Sequence, residues 1–150
     1  MTNIAAIEAA NAQYAASFNK GHLPIPPKRR LLRLGLTEGD AHIIRNAGGR
    51  ASEALRSLII SQRLLGTEEV VIIHHTDCGM LTFSDEDIRA KIKEELGEDA
   101  SDIEFLPFKD LEESVRENVR FLRGSRLVQG VVTGYVYEVE RGRLVRLEVE

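Results

Sequence analysis

Apolar residues recur along this chain with two periods, and each change of period marks an element. Over residues 52 to 65, SEALRSLIISQRLL, the positions Leu55, Leu58, Ile59, Gln62 and Leu65 fall three and four apart. This spacing predicts a helix with Ser52 as its cap and Gly66 as its stop. EVVIIHH, 69 to 75, is an almost wholly apolar β-branched run entered from that helix, which predicts a strand buried on both faces of a parallel sheet. Residues 84 to 96 predict a second helix with Asp85, Glu86 and Asp87 in its first turn, where the helix dipole favours them, and Gly97 at its end. Residues 98 to 108 read as loop. Leu111, Val115, Val119 and Leu122 predict a third helix from 111 to 122. At the end of the chain, 127 to 140 and 143 to 148 alternate apolar and polar residues around Arg141-Gly142, which predicts an antiparallel hairpin.

The first third of the chain is less regular. Residues 4 to 18 place Ile4, Ile7 and Tyr14 at helical spacing in an alanine-rich run and predict a weakly amphipathic helix. GHLPIPP, 21 to 27, carries three prolines and predicts a stiff extended arm. KRRLLRLGL, 28 to 36, fits a helical turn and an extended segment equally well. A turn at Glu38-Gly39-Asp40, a brief strand over 41 to 45 and a double-glycine turn at Gly48-Gly49 follow. The expectation is one domain over 1 to 150, with helix and arm in 1 to 27 and the core in 28 to 150. Its class is α/β, a mainly parallel sheet flanked by helices with a C-terminal antiparallel hairpin.

Composition narrows the function. With 20 Lys+Arg against 24 Asp+Glu, the formal net charge of −4 excludes a bulk electrostatic nucleic-acid binder, and no tryptophan is present for a base-stacking platform. No stretch approaches the roughly 18 apolar residues of a membrane span, and the N-terminus lacks a signal-peptide layout, so the expected setting is cytoplasmic. The chain has one cysteine, Cys78, so an intramolecular disulfide is excluded, as is a zinc site drawing two cysteines from one chain.

In open α/β sheets ligands sit at the carboxyl ends of strands, and two loops there carry polar chemistry. In the first, Asn46, Gly48 and Gly49 precede a helix and could present backbone N–H groups to an anion; a plain strand-to-helix turn accounts for the same residues. In the second, His75 and Cys78 stand three apart before Gly79, a spacing that lets an imidazole and a thiolate meet one metal ion. Against this, two ligands are too few for a site, and a small buried cysteine explains Cys78 equally well. Asp77 is open between a third ligand, a partner that orients an imidazole, and a turn cap. No residue is assigned a catalytic role on spacing alone.

EGDAHIIRNAGG (38 to 49), ALRSLIISQRLLGTEEVVIIHHTDCGMLTF (54 to 83) and GYVYEVERGRL (134 to 144) together resemble β-class carbonic anhydrases of the small prokaryotic type. The resemblance implies a parallel sheet wrapped by helices, assembly as a homodimer or higher homo-oligomer, and zinc-dependent hydration of CO2 to bicarbonate. In that family two cysteines and one histidine hold the zinc, and water or an aspartate takes the fourth position. His75 and Cys78 match the His-x-x-Cys half. The Cys-x-Asp-x-Arg half, at the end of the family's first core strand, has no counterpart here, because Pro27-Lys28-Arg29-Arg30 runs straight into Leu31 to Leu36. Three expectations follow: a family member with an incomplete zinc site and little activity; an enzyme whose zinc is completed by His74, Asp77 or another subunit's Cys78; and an anion-binding or assembly module using Gly48-Gly49 and residues 28 to 30.

Overall fold

Three strands form one sheet in the order β1-β2-β3, with β1 at Glu69–His75, β2 at Val131–Glu138 and β3 at Arg143–Leu147. This computed structural model describes residues 41 to 150. β1 and β2 run parallel, Glu69 opposite Val131 through His75 opposite Tyr137. β2 and β3 are antiparallel, Gly134 opposite Leu147 through Glu138 opposite Arg143. Helix α1 (Ala51–Leu65) leads into β1, and α2 (Asp85–Leu96) and α3 (Leu111–Gly124) lie between β1 and β2 in sequence. A parallel pair needs such a long crossover, whereas the β2-β3 turn closes within a few residues.

The core lies where α3 crosses β1 and β2. Val115 and Val119 are fully buried and Leu122 is 1% exposed; they pack with Val70, Val132, Val136, Leu147 and Ala51. The approach is close because β2 carries a glycine beneath the helix. A Cβ at Gly134 would stand 2.6 Å from Val115 Cγ1 and 3.0 Å from Val119 Cγ2, too near for the helix to keep its place.

The helix ends follow the sequence in two cases and depart from it in one. Ser84 accepts from the Asp87 N–H and Asp87 accepts from the Ser84 N–H, a capping box that starts α2. Asp110 accepts from the Glu113 N–H at 2.9 Å and caps α3. The cap expected of Ser52 is not made: α1 begins one residue earlier, and its first N–H, that of Ala51, donates to Asn118 Oδ1 of α3 at 2.6 Å. Asn118 is itself held by donating to Ser114 O at 2.7 Å. A buried side chain 67 residues away therefore does the work of a local cap.

Three other expectations are corrected. Residues 41 to 45 form no strand, and Ile43 and Ile44 stand exposed, because no neighbouring strand among the described residues offers them a ladder. β1 is buried mainly on the α3 side: Val70 and His74 are covered, whereas Val71 on the opposite face is 45% exposed. The hairpin starts at Val131, so 127 to 130 lie outside it. The expected helix at 4 to 18, the arm at 21 to 27, the ambiguous run at 28 to 36 and the turn at 38 to 40 lie outside the described residues. Among those that are described, no helix is long and apolar enough to cross a membrane.

Gly134→Ala is expected to lower stability by about 1–3 kcal/mol through overpacking against Val115 and Val119, read as a lower urea midpoint. Gly124→Ala, where an added Cβ meets nothing within 4 Å, should leave the midpoint unchanged or raised.

Candidate functional site

Both loops singled out from the sequence come together at the carboxyl end of β1. The turn Ala47–Gly49 is a single 3-10 turn in which Gly48 and Gly49 take φ of 71° and 65°, a left-handed geometry that favours glycine. Both also face crowded space. A Cβ on Gly48 would meet Met80 Cγ and Phe108 Cε1 at 3.2 Å, and one on Gly49 would stand 2.8 Å from His74 Cδ2. The turn's donors are partly used: the Gly49 N–H donates to Asn46 O at 3.3 Å and the Ala51 N–H to Asn118. Asn46 donates its Nδ2 to Arg50 O at 2.8 Å and leaves Oδ1 buried without a partner. Gly79 opens the short turn Gly79–Leu81 after Cys78, with open space around its Cα.

His74 and His75 point to opposite faces of β1, as successive strand residues must. His75 is exposed, and its Nδ1 lies 2.8 Å from Thr76 O. A carbonyl only accepts, so Nδ1 carries the proton and the Nε2 lone pair is free, the tautomer a metal ligand needs. His74 is 2% exposed, donates from Nε2 to Gly49 O at 3.2 Å and stacks on Phe108 with ring centroids 5.4 Å apart. Its Nδ1 is buried without a partner. Burial holds the His74 pKa below the usual histidine value; the Gly49 carbonyl opposes this, and the charges of Arg50 and His75 add to the lowering. His74 is thus a neutral core residue directed away from His75, and it does not complete a ligand set with it.

Cys78 is buried against Met80 and Phe108, with Leu81, Phe83 and Leu111 around them. Asp77 is exposed and sits at φ 57°, a left-handed geometry that asparagine and aspartate tolerate best among residues with a Cβ. Among the described residues no group of three or more His, Cys, Asp or Glu side chains is placed to hold a metal ion. The turn offers two donors, the His75 Nε2 and the Cys78 thiol, where a catalytic zinc takes three from the protein.

Sequence reading missed the residue that ties this end of the fold together. Arg50, at the start of α1, donates Nε and Nη2 to Leu106 O at 2.8 and 2.7 Å, Nη2 to Pro107 O at 2.9 Å and Nη1 to Ser114 Oγ at 3.2 Å. It also lies 3.8 Å from the Glu117 carboxylate and 5.2 Å from the Phe108 ring centre. The fork holds the loop before α3 and so seats Phe108 between His74 and Cys78. Every partner is more than 50 residues away, so no local pattern announces it. Gly49→Ala should push His74 off Phe108 and cost about 1–3 kcal/mol, seen as a shifted His74 ring resonance together with a lower melting temperature.

No family model matches the chain. It is 40% identical to beta-carbonic anhydrase 1 of Mycobacterium tuberculosis over 154 aligned positions, covering 91% of this chain and 92% of the relative. That span exceeds the 150 residues of the chain, so the relative has residues within it for which this chain has none. Among solved structures, a carbonic anhydrase from Glaciozyma antarctica is 46% identical with a TM-score of 0.83, covering 97% of this chain and 99% of the other. One from Streptococcus mutans is 40% identical with a TM-score of 0.88, covering 99% of each. Sequence and fold agree over nearly the whole length, and the chain belongs to the β-carbonic anhydrase family.

Proposed function

We propose that this chain is a β-carbonic anhydrase homologue with half of the family's zinc centre and little or no CO2 hydration of its own. One observation carries the reading: Cys78 is the sole cysteine, and among the described residues no group of three His, Cys, Asp or Glu side chains gathers at it and His75. Zinc at the family's site would be held by His75 Nε2 and the Cys78 thiolate and, when bound with three protein ligands, supplies hydroxide at neutral pH. Two ligands do not meet that requirement. The aligned span supports the same reading. Since 91% of 150 residues is about 137, some 17 of the 154 positions face a gap in this chain, enough for one strand and a turn.

What remains is a family fold able to take CO2 or bicarbonate weakly, with no nucleic-acid or membrane partner, in a homo-oligomer. Assembly fits the exposed apolar residues left beside the sheet, Ile43, Ile44, Val71 and Val131. A second reading rests on the free Nε2 of His75. An active enzyme would draw its missing zinc ligands from another subunit.

Zinc per chain measured by elemental analysis, together with stopped-flow CO2 hydration, separates the two. The expected result is well under one zinc per chain and turnover at the uncatalysed rate. One zinc per chain with robust turnover, both lost in Cys78→Ser, would establish the second reading.

A further inference from the structure

We propose that Leu106, Pro107 and Phe108 form a strained strap over Cys78, and that Arg50 holds it shut. Among the described residues only two with a Cβ take positive φ, Asp77 at 57° and Leu106 at 56°. They lie in the two loops that supply the buried cluster of Cys78, Met80 and Phe108. At Asp77 a short polar side chain tolerates the geometry. Leu106 is bulky, and as the residue before a proline its backbone is biased toward extended conformations, so both features oppose the one it adopts. Such a conformation persists only where its surroundings hold it.

Those surroundings are few. Upstream, the Phe105 N–H donates to Asp85 Oδ1 at 3.0 Å, and downstream the Phe108 N–H donates to Met80 O at 3.1 Å. Between these anchors the bonds come from one side chain. Arg50 Nε and Nη2 reach Leu106 O at 2.8 and 2.7 Å, and Nη2 reaches Pro107 O at 2.9 Å. The Arg50 side chain is 12% exposed, so these charge-assisted bonds are shielded from water, and its planar fork spans two carbonyls that a point-charge ammonium would not. Phe108 carries the effect to the site: its ring stacks on His74 at 5.4 Å and packs against Cys78, which is 7% exposed. Release of the fork lets Leu106 relax to negative φ, which turns the backbone that follows and draws Phe108 off the cluster. The inner side of the Cys78 thiol is then bared.

The test uses the whole chain, with a chelator present so that bound metal does not mask the thiol. Exchange of the Phe108 amide reads opening of the strap, and exchange of the Val119 amide, in the fully buried part of α3, reads unfolding of the domain. Arg50→Gln should speed exchange at Phe108 about tenfold or more beyond any change at Val119, and should speed labelling of Cys78 by a small thiol reagent to a similar degree. Leu106→Ala and Leu106→Gly remove nearly the same side chain, but only glycine takes φ 56° without strain. Exchange at Phe108 should therefore be about threefold or more slower in Leu106→Gly than in Leu106→Ala. The reverse order, which an unstrained loop gives because glycine has more freedom to lose, would overturn the strap. Equal acceleration at Phe108 and Val119 in Arg50→Gln would do the same. Faster exchange at Phe108 with unchanged labelling would overturn the closure of Cys78. Should Arg50→Gln not fold, the order of the two Leu106 variants decides alone.

Discussion

The site depends on β1, which among the described residues is laddered to β2 alone, in parallel register. The strand is rich in Val and Ile, sits next to β2 in parallel register and delivers the two histidines and the cysteine loop to one end of the sheet. Its position is secured from one face, by α3 pressing Val115 and Val119 onto the glycine of β2. Ile43 and Ile44 are exposed, and Val71 is 45% exposed on the face of β1 opposite α3.

The carboxyl end of β1 combines a rigid side with a bare one. Arg50, Phe108, His74 and the Gly48-Gly49 turn form a packed cluster in which the arginine fork holds one loop and the aromatic ring seats another. Partially unsatisfied atoms persist within it, the Nδ1 of His74 and the Oδ1 of Asn46, both acceptors. Beside this cluster His75 reaches solvent with one nitrogen committed and the other free.

Much of this was legible in the chain. The periods of three and four at 52 to 65 and 111 to 122, and the β-branched run at 69 to 75, specify elements whose existence depends on which face is apolar, and that is local information. His75 and Cys78 are legible for the same reason, as three residues of spacing on one turn. The strand expected over 41 to 45 failed because a strand is a pairing, and an extended AHIIR segment without a neighbour stays coil. The Ser52 cap failed because Asn118, distant in sequence, reached the helix start first.

The sequence by itself determined the family, the α/β class, the strand that carries the histidines and the single cysteine beyond it, since each follows from residue identity and short spacing. Only the tertiary structure decided that His74 is buried against Phe108 while His75 is exposed, that Arg50 fastens the site, and that Asn118 caps α1. These depend on contacts between residues tens of positions apart, where the chain's path in space, and not its local pattern, sets the energy.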